Sequence, residues 1–102
     1  MISETYSIEQ FVRAVTGKGL HEVISLARSD IYIAEARING GKGAVQARKQ
    51  GAGGYAANLK GLVFALENRA QPMGVGLWAF RPILESLVEQ GELDPEVLKK
   101  LG

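Results

Sequence analysis

The chain has 102 residues, 46% hydrophobic and 23% charged, with a formal net charge of +1 and no cysteine. That is the length of one domain around one core, too apolar for wholesale disorder. The missing cysteine excludes disulfides, thiolate metal sites and a cysteine nucleophile, and the near-neutral total names no polyanionic partner.

Glycine is the outlier in composition, at 13 residues against the roughly seven that average usage gives. Met1 to Ser7 carries Glu4 and no basic residue, and Arg13 breaks the first apolar run, so no secretory signal is read and a cytoplasmic protein is expected. The longest uncharged apolar stretch, Met73 to Phe80, has eight residues, against the roughly 20 that a membrane span needs.

The first predicted helix runs from Ile8 to Thr16. Ser7 is its N-cap with Gln10 as the reciprocal capping-box partner, Tyr6 is set to staple onto Phe11, and Gly17 supplies the left-handed exit. A second, longer helix follows from a seam of Leu20, Ile24, Ala27, Ile31, Ala34 and Ile38, and ends at Asn39-Gly40-Gly41. Ile33 to Ile38 also alternates apolar with charged residues before Asn39-Gly40, which permits a β-hairpin over residues 31–49. Alanine at 34, 36, 44 and 47 weighs toward helix.

Seven of the 13 glycines fall at 40, 41, 43, 51, 53, 54 and 61, so residues 40–54 are expected to form a flexible connection, broken by a short helical turn at Ala44 to Gln50. Helix returns near Tyr55 with a seam of Tyr55, Leu59, Leu62 and Leu66, and closes before Pro72. Pro82 opens a further helix with Ile83, Leu84, Leu87 and Val88 inward, and Asp94-Pro95 starts a short last one with Val97, Leu98 and Leu101 on its apolar side. The expected fold is mainly α, a single-domain bundle of four or five helices with a glycine-rich central connection. The alternative is an α+β domain carrying the hairpin.

Charge is unevenly spread along the chain. Residues 36–66 hold Arg37, Lys42, Arg48, Lys49 and Lys60 and no acid, whereas residues 82–102 hold Glu85, Glu89, Glu92, Asp94 and Glu96 against Lys99 and Lys100.

No motif for catalysis is complete. Gly40-Gly41-Lys42-Gly43 lacks the spacing and the hydroxyl of a phosphate loop, and Gly51-Ala52-Gly53-Gly54 lacks the preceding strand and following acid of a dinucleotide fingerprint. His21-Glu22 has Ser25 where a zinc helix needs a second histidine, and a His21/Ser25 pair still needs an orienting acid and an oxyanion hole. Glu85 and Glu89 share a helix face with no E-x-x-H partner and are read as solvated. No catalytic, cofactor or metal residue is assigned.

The resulting expectation is a non-enzymatic helical protein that works by protein–protein interaction, self-association as a homodimer included, with Leu77, Trp78, Phe80 and Arg81 as interface residues. The alternative is a nucleic-acid-binding module using Arg37, Lys42, Arg48, Lys49, Tyr55 and Lys60.

Overall fold

The computed structural model describes residues 6–68 and 77–99, and every regular element among them is helical. The helices are α1 (Ile8–Val15), α2 (Leu20–Asn39), α3 (Ala44–Lys49), α4 (Ala52–Asn68), α5 (Arg81–Glu89) and α6 (Glu96–Lys99), with a 3-10 turn at Leu77–Phe80 ahead of α5. The mainly α expectation holds, and the hairpin alternative does not: residues 31–39 finish α2 and residues 44–49 are α3. Alanine's helix preference outweighs the short alternation there.

Capping explains several boundaries. Ser7 Oγ accepts from the Gln10 amide at 3.3 Å, and Asp94 Oδ1 accepts from the Glu96 amide at 2.9 Å, as the sequence indicates. The start of α2 is different, because its N-cap, Gly19, has no side chain. Glu92 supplies the missing acceptor from across the molecule, its Oε2 taking the Leu20 amide at 2.8 Å.

The most extensive helix pair is α2 with α4. Arg28 pairs with Glu67 and Glu35 with Lys60, so advancing along α2 means retreating along α4, and the two run antiparallel. The line of α2 fully inside the core is Val23, Ala27, Asp30 and Ala34, with Ile24, Ile31 and Ile38 half-buried at its margins. Opposite it lie Ala52, Tyr55, Ala56, Leu59, Leu62 and Leu66 of α4. Phe11 and Val15 of α1, Phe80, and Ile83, Leu84 and Leu87 of α5 complete the same core.

In the glycine-rich stretch the helical turn expected at 44–50 is present as α3, and α4 begins at Ala52, earlier than the expected start near Tyr55. Gly40, Gly41 and Gly43 make the turn from α2 into α3, Gly51 makes the turn into α4, and Gly53, Gly54 and Gly61 lie inside α4. Gly40 is required by close approach: a β-carbon there would stand 2.7 Å from the Ala36 carbonyl oxygen. Gly54 is not required, since a β-carbon would meet nothing within 4 Å. Gly54→Ala is therefore expected to stabilise the protein by about 0.5–1 kcal/mol, through helix propensity and a less free unfolded chain, measurable as a rise in Tm.

The described chain is elongated, 44 × 22 × 20 Å. The twenty residues of α2, about 30 Å long, account for much of the long axis. At the N-terminal end of α2 sits the turn after α5, held by Glu92 on Leu20 and by Gln90 Nε2 donating to the Lys18 carbonyl at 3.4 Å. At its C-terminal end sits α3. The charge asymmetry of the sequence thus becomes a spatial one.

Candidate functional site

An open groove of about 730 Å³ lies between the C-terminal half of α2 and α3. Tyr32, Ile33 and Arg37 present one wall from successive turns of α2, Lys42 and Gln46 the other, and Tyr6 closes one side. Among the described residues its lining contains no acid. Tyr32 is 76% exposed and Val45, the α3 neighbour of the lining residue Gln46 and not itself in the lining, 63% exposed, the two most exposed large hydrophobic side chains among the described residues.

Behind the groove a chain of contacts fixes one wall. Arg37 Nη1 donates to the Tyr6 hydroxyl at 3.2 Å, with the guanidinium carbon 5.9 Å from the Tyr6 ring centre. The Tyr6 ring meets Tyr55 at 5.9 Å and 59°. Tyr55 in turn donates its hydroxyl proton to Asp30 Oδ2 at 2.6 Å. Burial, then the hydrogen bond to Asp30, then the nearby carboxyl charge push the Tyr55 phenol well above its ordinary range. Asp30 is 1% exposed, and its Oδ1 has no hydrogen-bond partner among the described residues.

The six residues expected to contact nucleic acid separate into two groups. Arg37 and Lys42 line the groove, and Arg48 and Lys49 lie on α3 next to it. Arg48 Nη2 donates to the Ile38 carbonyl at 3.2 Å, satisfying one of the free oxygens at the end of α2. Lys60 is on α4 and bonded to Glu35 at 2.7 Å, which neutralises it. Tyr55 is 5% exposed in the core, so as a base-stacking residue it is corrected: its ring is spent on packing and its hydroxyl on Asp30.

Of the four residues expected at a protein interface, Phe80 is corrected. It is 1% exposed and packs within the chain's own core, because the 3-10 turn carries it between α1, α4 and α5. Arg81 is on the surface with Nε bonded to Glu85 Oε1 at 2.7 Å. The side chains of Leu77 and Trp78 lie outside the described residues, as do residues 73–76 of the apolar run.

Two other clusters carry less. His21 and Ser25 share a shallow cleft with Glu67, but Glu67 is taken by Arg28, and no hydrogen bond joins His21 to Ser25 or Glu67. Among the described residues no three His, Cys, Asp or Glu side chains come together as metal ligands. No helix among them is long and apolar enough to cross a membrane.

Neither the known protein-family models nor the curated proteins nor the solved structures contain a match to this chain. The reading of function therefore rests on the residues.

Proposed function

We propose that this chain is a non-enzymatic protein that acts by binding another protein in the α2–α3 groove. The observation that carries the reading is Tyr32, a large aromatic left 76% exposed at the mouth of a groove that also offers Arg37. Tyrosine and arginine are the residue types that dominate interface energies, and a rigid aromatic loses little entropy when covered. The Tyr6 ring beneath Arg37 holds that guanidinium in place before a partner arrives, which lowers the cost of binding.

A photo-crosslinking amino acid at Val45 is expected to trap a protein when the chain is expressed in its native host, and Tyr32→Ala is expected to cut the yield by weakening binding on the order of 2 kcal/mol. The same probe on the far cleft, at His21, serves as the control. No protein adduct at Val45, or equal adducts at Val45 and His21, would sink the reading.

A second reading, nucleic-acid binding, is favoured by one feature, a lining without acids among the described residues, with Lys42 and Arg37 beside an exposed tyrosine. It is weakened by the internal bonds of Arg37, Arg48 and Lys60 and by the burial of Tyr55. It predicts adducts at Val45 with nucleic acid in place of protein.

A further inference from the structure

We infer that the occupant of the α2–α3 groove is the acidic end of a second copy of this chain. The inference rests on the protein-binding reading above and names the partner.

The first ground is the placement of charge. Arg37, Lys42, Arg48 and Lys49 gather at the C-terminal end of α2 with no acid in the segment that carries them. Glu89, Glu92, Asp94 and Glu96 gather at the opposite end, where Glu92 is pinned to the Leu20 amide. Lys18, which also lies at that end, is bonded to Glu22 at 3.2 Å and cancels it. Lys99 and Lys100 follow in the sequence, and the five acids of residues 82–102 outnumber them. From Leu20 to Arg37 along α2 is about 26 Å, several screening lengths at moderate salt, so the two ends act as separate charges of opposite sign.

The second ground is the size of the match. Lys42 and Lys49 have no ion pair with a described residue, while Arg37 and Arg48 keep internal bonds, so the groove offers a few charges to a partner and not a long cationic track. A nucleic acid needs the track. A protein surface with three or four carboxylates fits. Glu92 and Asp94 in the turn between α5 and α6, with Glu89 and Glu96 on the flanking helix ends, make up that number, and every copy carries both halves. Docking two grooves face to face would set like charges together and is disfavoured.

The test uses the full chain and two charge-reversed variants. Wild-type protein is expected to self-associate at low salt as its concentration rises, and to return to the 11.0 kDa monomer at high salt in sedimentation. Lys42→Glu/Lys49→Glu and Glu89→Lys/Glu96→Lys are each expected to weaken self-association more than about tenfold, since each cancels the net charge of one end and sets two repelling side chains into the contact. Mixing the two variants is expected to restore association, because both contacts between them are then complementary. Circular dichroism of each variant checks that it is folded.

Three results would overturn the inference: a wild-type monomer at every concentration and salt, self-association untouched by both reversals, or no rescue on mixing. Salt-sensitive binding of a 20-nucleotide single strand by a chain that stays monomeric would also overturn it, in favour of a polyanion. The two levels of the reading fail separately. A Val45 adduct with a different protein, together with a monomeric pure chain, removes the second copy and leaves the groove as a protein-binding site, whereas the absence of any protein adduct removes both.

Discussion

Tyr55→Phe is expected to lower the stability of this protein by about 2–3 kcal/mol near pH 7, although the ring is kept and one oxygen alone is lost. The reason lies in what that oxygen serves. Asp30 is inside the α2–α4 interface, its Oδ2 takes the tyrosine hydroxyl at 2.6 Å, and its Oδ1 has no partner among the described residues. Without the hydroxyl the carboxyl stays buried with neither oxygen bonded, and a buried acceptor stripped of its donor costs its full desolvation. Replacing both groups with apolar ones removes the penalty, so Tyr55→Phe/Asp30→Leu is expected to be more stable than Tyr55→Phe alone. Urea unfolding of the two variants and the wild type checks this, and a neutral Tyr55→Phe would mean that another group serves Asp30.

The same bond has a pH signature with a definite sign. The folded chain holds the Tyr55 proton more tightly than the unfolded chain, whose tyrosine ionises near 10. The stabilisation is therefore complete below pH about 10 and falls above it, at up to about 1.4 kcal/mol per pH unit. The stability gap between wild type and Tyr55→Phe is expected to be flat from pH 6 to 9 and to narrow beyond 10. A gap that widens there would contradict the assignment.

Phe80→Ala is expected to cost about 3–5 kcal/mol, a large part of the 5–15 kcal/mol that holds a typical domain. Phe80 is 1% exposed where the 3-10 turn meets α1, α4 and α5, and truncation leaves a cavity that three packed elements cannot all close. Tm is expected to drop on the order of 20 °C, and Phe80→Leu by far less because most of the volume is kept. An anchor that serves only an interface behaves in the opposite way, losing binding with Tm unmoved. Calorimetry of Phe80→Ala distinguishes the two roles, and an unchanged Tm would put the side chain back on the surface.

Much of the fold was legible because it depends on neighbours in the chain. The Ser7 and Asp94 caps, the Tyr55-Leu59-Leu62-Leu66 seam and the inward face of α5 are all set by spacing over a few residues, and each is found in place. The seam of α2 was legible only in part. Apolarity points to Ile24, Ile31 and Ile38, yet these are half-buried and the innermost line includes the small Ala27 and Ala34 with the acidic Asp30. Small residues let two helices approach, and the larger isoleucines then fill the margins. Asp30 cannot be found this way, since its partner is Tyr55, on another helix, and a hydropathy pattern prices the acid as if it faced water.

The candidate site shows the same division. The sequence by itself determined that the chain is helical and that its middle is basic and its C-terminal part acidic, because composition and short-range periodicity are properties of the chain alone. Tertiary structure decided what those residues do. It withdrew Tyr55, Phe80 and Lys60 from the surface roles their types suggest, by burial in two cases and by Glu35 in the third. It also brought Tyr6 under Arg37 and set Tyr32 over the same groove. Contacts of this kind join residues 25, 31 or 72 positions apart, as in Tyr55 with Asp30, Arg37 with Tyr6 and Leu20 with Glu92. No local pattern encodes such pairs, because the free energy that selects them comes from burying surface and pairing polar groups only after the helices have packed.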